Sequence, residues 1–369
     1  MKKIIAIIFC LFILGGVKVK AEDTYHDNYS TYLGDTFDSI IDSDTKDILE
    51  KDGLSPDKSD WVTNLKAQNI FKFVLSLLKG DIKKPIFSFF SICGIILLFS
   101  AFNSFGNEKY LRYIEILSPA VIISVVGASV YACSTAAAES IRASSAFMIG
   151  LIPALTSLLA ASGKTATAAT SSVTMLLSAN AVSSFATYGV LPLMGGYLSV
   201  SIAAGVSPLV ANINPAETLK KVTYWVLTFI STVFLGVLTL QNAVMSSSDD
   251  VALKTAKFVL GTSVPVAGGV LSEAVSAVSS SVSMLKNSVA IYAVIVVALL
   301  ILPVLVDVIL WRCCFSLSAV VGELFGQKKT AVLLRSVDSV LAAMLGIMLL
   351  SGALFIISLA SVVAVGKGV

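Results

Sequence analysis

The sequence predicts an all-α polytopic membrane protein, with about eight transmembrane helices plus amphipathic or re-entrant segments. Three observations carry this. Only 13% of the residues are charged and mean hydropathy is +0.89, whereas soluble domains carry about 25% charged residues. From Pro85 onward the chain is a succession of apolar runs, many near the roughly 20 residues that cross a hydrocarbon core. The charge is also segregated: residues 22–60 hold twelve of the 23 acidic residues and only three lysines.

Residues 1–21 open with Lys2-Lys3, continue through an apolar core from Ile4 to Leu14, and place Val19 and Ala21 at −3 and −1 of a cleavage site. This is the pattern of a signal peptide; an uncleaved anchor is the alternative. Either form sends the next segment out of the cytoplasm. That segment, 22–60, is acidic and sprinkled with Tyr25, Tyr29, Tyr32 and Phe37, a composition that stays partly disordered until it meets a partner. It contains His26, the single histidine, so a histidine-rich metal site is not expected. In residues 61–84, Trp61, Leu65, Phe71, Val74, Leu75 and Leu78 alternate with Lys66, Lys72 and Lys79. This is an amphipathic helix of the kind that lies in the headgroup layer.

The polytopic membrane domain, 85–369, divides into spans near 85–105, 116–136, 146–162, 168–189, 191–211, 222–244, 288–311 and 338–363. With the mature N-terminus outside, loops 106–115, 163–167, 212–221 and 312–337 fall in the cytoplasm. These carry nine basic residues, against four (Arg142, Lys254, Lys257 and Lys286) in the outer loops 137–145 and 245–287. That asymmetry follows the positive-inside rule. Glu139 and Arg142, three apart at a span end, read as a local pair. The small-residue run Thr165–Ser172 and the Gly195-Gly196 pair allow close helix approach. Pro119, Pro153, Pro192, Pro208 and Pro303 lie in or beside spans, where proline kinks a helix and frees carbonyls.

The segment 254–286 differs from the rest. Gly261, Pro265, Gly268 and Gly269 should interrupt a helix. Beyond them Leu271, Val275, Val278, Val282 and Leu285 share one helical face. Glu273 and Ser272, Ser276, Ser279, Ser280 and Ser283 occupy the others. About 16 helical residues rise about 24 Å, short of the ~30 Å core. Two readings stand: a helix packed on others through its serines, or a re-entrant, pore-facing segment.

No catalytic constellation is present: the chain has no phosphate-binding GxxxxGK[ST] loop, HExxH, GxSxG or CxxC. No catalytic, cofactor-binding or metal site is expected, and the scattered basic residues exclude a nucleic-acid patch. The five cysteines, Cys10, Cys93, Cys133, Cys313 and Cys314, lack a disulfide framework. Intramembrane acids mark ion or solute pathways, and Asp307 is the candidate. It lies four residues after Pro303 and five before Arg312, so an ion pair with Arg312 is the competing reading. No half-to-half symmetry supports an inverted repeat.

The order of signal peptide, acidic segment, amphipathic helix and spans, with LIPALTSLLAASG (151–163), TAKFVLGTSVPVAGG (255–269), SEAVSAVSSSVSMLKNSVA (272–290) and the span to Arg312, resembles stage III sporulation protein AE of endospore-forming Firmicutes. The resemblance covers about residue 60 to the end. It implies a component of the complex encoded by the stage III A operon, in the mother-cell membrane around the forespore. The implied partners are the other stage III A proteins and, indirectly, the forespore stage II Q protein. The implied function is a channel or secretion-like conduit that supports late forespore gene expression. No enzymatic activity, cofactor or residue-level site comes with it. A stand-alone secondary transporter built around Asp307 and the broken 261–269 stretch is the alternative.

Overall fold

Two glycines with left-handed backbone turn the chain back on itself: Gly163 (φ 80°) and Gly326 (φ 75°). The computed structural model describes residues 82–105, 108–206, most of 221–239 and 268–364, and for 104–105, 108–116, 190–191, 201–202, 204–206, 268–288 and 361–364 the backbone alone. All lie in the second of two units, Leu78–Val369. The signal peptide, the acidic segment and nearly all of the amphipathic helix fall outside the described residues.

Every element is helical: α1 Lys83–Phe105, α2 Glu108–Ala161, α3 Thr165–Ser184, a π-helical turn Phe185–Val190, α4 Leu191–Val206, α5 Gly268–Leu324 and α6 Lys328–Ala364. A shorter apolar helix runs over Lys221–Phe234. Five helices among the described residues are long and apolar enough to cross a membrane, where the sequence divides into about eight spans. The difference has local causes. The expected outer loop 137–145 is helical, so the spans 116–136 and 146–162 are one helix. Glu139 and Arg142 do not pair; both are simply exposed on its surface. The spans 168–189 and 191–211 are joined through the π turn, which precedes Pro192. A proline ring clashes with the carbonyl four residues back, and a wider turn relieves that clash.

Both hairpin turns are built alike. At the first, the amide of Gly163 donates to Ala160 O (3.0 Å) and that of Lys164 to Leu159 O (3.0 Å); at the second, Gly326 donates to Glu323 O (3.1 Å) and Gln327 to Gly322 O (2.8 Å). These are the paired 5→2 and 6→1 bonds of a Schellman cap, which needs a left-handed residue after the helix. Glycine takes that conformation without a Cβ penalty.

The turns point opposite ways. Ser118 bonds Thr330 (2.9 Å) and Ser134 reaches the Met344 sulfur (3.6 Å), so α2 and α6 run parallel. The Gly163 turn at the end of α2 and the Gly326 turn at the start of α6 therefore sit at opposite ends of the bundle. The eight-span division places both in the cytoplasm.

Helix α6 is the most enclosed of the five and packs against α5, α2, α4 and α3. Leu334, Leu341, Met348, Phe355 and Leu359 are fully buried along it. Close approach to α5 occurs at Gly352, where a Cβ would stand 3.1 Å from Ile301 Cδ1. Gly195 does not serve this way; its Cβ position faces open space. Buried hydroxyls are satisfied largely within their own helices, as Ser144 to Ser140 O (2.8 Å) and Ser318 to Cys314 O (2.8 Å). This removes most of the cost of burying them.

Candidate functional site

The polar chemistry inside the bundle centres on Arg312. Its Nε donates to Asp338 Oδ1 at 2.9 Å and its Nη2 to Asp338 Oδ2 at 3.4 Å. This fork-like, charge-assisted geometry is stronger than a neutral hydrogen bond. Side-chain exposure is 35% for Arg312 and 24% for Asp338, so the pair is partly withdrawn from solvent between α5 and α6. The hairpin dictates the meeting: Arg312 lies fourteen residues before Gly326 and Asp338 twelve after it. Tyr224, from the helix that begins at Lys221, lies within electrostatic reach of Arg312, Asp338 and Tyr197 of α4. Four helical segments thus converge on one polar point. Nearer the turn, Arg335 pairs with Glu323 at 2.7 Å, more exposed.

The expected Arg312–Asp307 pair is therefore replaced by Arg312–Asp338. Asp307 is half-buried one and a half turns further into α5, within electrostatic reach of Cys133 on α2. Just beyond it, Ser140 of α2 donates to Leu300 O of α5 (2.8 Å). That carbonyl adjoins the one whose intrahelical donor is lost at Pro303. The α2–α5 contact thus carries a second polar patch, separate from the Arg312 cluster.

Of the other candidate positions, Gly261 and Pro265 lie outside the described residues. Gly268 and Gly269 open α5 and do not interrupt it, and α5 continues unbroken to Leu324. The expected short helix after them is therefore the first part of a 57-residue one. Glu273, Ser276, Ser279, Ser280 and Ser283 lie along its backbone; the serines, at spacings of three, one and three, share a face. Their side chains fall outside the described residues. Among the described residues no cluster of metal-ligating side chains occurs, and Cys93, Cys133, Cys313 and Cys314 are free thiols. A cavity of about 30 Å³ beside the π turn, lined by Val182, Phe185, Ile347 and Leu354 among others, is too small for a substrate.

Asp338, Tyr197 and Tyr224 were not legible as partners of Arg312 residue by residue. The available signal was the hairpin itself: with Gly326 as its turn, positions 312 and 338 must face each other.

A bundle of apolar helices, several longer than a bilayer is thick, with ion pairs between α5 and α6, defines a polytopic helical membrane protein. Residues 44–366 match the family described as Stage III sporulation protein AE, and the chain belongs to that family. It is 24% identical over 303 residues to the Stage III sporulation protein AE of Bacillus subtilis (strain 168), covering 82% of this chain and 75% of that protein. No solved structure matches the chain.

Proposed function

We propose that the chain is a non-enzymatic, multi-pass component of the stage III A sporulation complex in the mother-cell membrane around the forespore. There it would help build a channel or secretion-like conduit needed for late forespore gene expression. Membership of the family is the observation that carries this reading. The bundle is compatible with it: its core is filled along α6, and its ion pairs join α5 to α6. The partners are the other stage III A proteins and, indirectly, the stage II Q protein, in a hetero-oligomer. The serines of α5 from Ser276 to Ser283 are proposed as a contact surface, and the mature N-terminus is placed outside the cytoplasm.

The competing reading is a stand-alone secondary transporter working through Asp307, which lies within an apolar stretch of α5. One experiment separates the two. A tagged full-length chain isolated from sporulating cells should bring down other stage III A proteins, and Asp307→Asn should sporulate at no less than about half the wild-type level. Isolation of the chain alone, with sporulation abolished in Asp307→Asn at normal membrane abundance, would favour the transporter.

A further inference from the structure

Contacts between helices give a common ruler along the bundle. Ser100 donates to Phe325 O (3.2 Å) and Ser118 bonds Thr330 (2.9 Å), so the end of α1 and the start of α2 lie beside the Gly326 turn. Ser140 bonds Leu300 O (2.8 Å), which ties the middle of α2 to α5. Ser178 meets Ser358 at 3.4 Å, further toward the other end.

The exposed charges of α1, α2, α5 and α6 collect in two layers on this ruler, with the partly exposed Arg312–Asp338 pair between them. One is at the Gly326 turn: Glu323, Lys328 and Lys329, with Glu108, Lys109 and Arg112 in the first turns of α2. The other comprises the exposed Lys83 and Lys84 at the start of α1 and the exposed Glu139 and Arg142 of α2. Ser118 to Ser140 spans about 33 Å at 1.5 Å per residue, close to the ~30 Å hydrocarbon core. Between the layers the bundle exposes large apolar side chains, including Phe87 (77%), Tyr131 (72%), Trp225 (68%), Phe90 (66%) and Leu98 (61%).

Beyond the second layer the surface changes character. From 143 to 172 every exposed residue is Ala, Pro, Ser, Gly or Thr, while Phe147, Met148, Leu151, Leu155 and Leu159 are buried inward. The polarity of α5 changes in the same direction. From Ser272 to Ser288 it carries seven serines with Glu273 and Lys286, whereas from Val289 to Trp311 its only charged residue is Asp307. The exception is the exposed Val173, Leu176 and Leu177 of α3, which lie about 10–17 Å past the Ser140 level by helix rise from the Ser178–Ser358 contact, just beyond the headgroup layer. Exposed charges at the middle of a bilayer are expensive. Glu139 and Arg142 stand midway along the 45-residue apolar stretch Leu117–Ala161, so centring that stretch in the lipid would put them there.

We infer that the bilayer covers only the half of the bundle next to the Gly326 turn. The other half, ending at the Gly163 turn, projects from the membrane as a helical stalk about 30 Å tall, judged from the rise of α2 beyond Ser140. The lipid-facing belt is the aromatic and aliphatic band between the two charge layers. The stalk faces water mainly through small residues, with Val173, Leu176 and Leu177 of α3 as an exposed apolar patch near its base, and holds most of its large apolar side chains inside.

The test places a nitroxide at Ser157→Cys or Thr165→Cys on the stalk, and at Leu98→Cys or Tyr131→Cys in the belt. The full chain is reconstituted in phosphatidylcholine–phosphatidylglycerol bilayers. Cys93→Ala and Cys313→Ser remove the more accessible of the described thiols, Cys10→Ser removes the remaining N-terminal one, and that parent without an added cysteine reports residual labelling. All four sites are exposed or half-exposed surface positions, and size-exclusion profiles matching the parent confirm folding. Accessibility to a water-soluble nickel chelate should exceed that to oxygen several-fold at 157 and 165, and the ratio should reverse at 98 and 131. An oxygen preference at 157 and 165 equal to that at 98 would overturn the stalk, as would protection of both sites from either reagent.

Discussion

Replacing Phe355 with alanine should destabilise the bundle by about 3 kcal/mol, at the lower end of the range of about 3–5 kcal/mol for phenylalanine truncations in packed cores. Phe355 is fully buried on α6, the helix that packs against α5, α2, α4 and α3. Its loss leaves a cavity that rigid neighbouring helices cannot close. Between helices in lipid, van der Waals packing replaces the hydrophobic effect as the driving force, so the cavity accounts for most of the cost. Phe90→Ala on α1 is the matched control: Phe90 is 66% exposed, and lipid or detergent can fill the space it leaves. Midpoints of unfolding in a denaturing-detergent titration should fall clearly for Phe355→Ala and hardly move for Phe90→Ala. Equal shifts would show that α6 is not central.

The second large effect concerns the Arg312–Asp338 pair. Asp338→Ala strands the guanidinium among α5, α6 and the tyrosines, and should cost about 2–3 kcal/mol, below the range for a fully buried pair because both side chains are partly exposed. Membrane abundance should drop several-fold. The exchanged pair, Arg312→Asp with Asp338→Arg, should recover a good part of the loss, because the opposed positions persist across the hairpin. A swap as deficient as the single variant would mean that the contact matters only as packing. Wild-type abundance for Asp338→Ala would mean that the pair contributes little.

How far the fold could be read from the sequence depended on the element. Helix α1 agrees closely with the span 85–105, since a lone apolar run has one solution. Helix α2 was read as two spans because Glu139 and Arg142 interrupt the apolar run. Two charges three residues apart on an exposed helix face look the same in sequence as a loop. That division puts the Gly163 and Gly326 turns on one side, because each added crossing reverses the next loop, whereas the structure sets them at opposite ends of the bundle. The glycine at each turn was available as a cap signal, yet a cap says where a helix stops and nothing about which end of the bundle it faces. Asp338 escaped notice for a related reason. Its partner lies 26 residues away, and only a correct hairpin brings them together. Gly268 and Gly269 were read as breakers, whereas glycine is tolerated at a helix start, where the first amides lack intrahelical acceptors.

The placement of the two glycine turns at opposite ends is the claim on which the rest depends. It can be tested in cells by side-specific labelling of Thr165→Cys and Lys328→Cys with a membrane-impermeant maleimide, before and after permeabilisation, using the same reduced-thiol parent. Both substitutions replace exposed side chains beside a turn. The structure predicts opposite behaviour: one site reacts in intact cells and the other only after permeabilisation. Reaction of both from the same side, as the eight-span division requires, would contradict it.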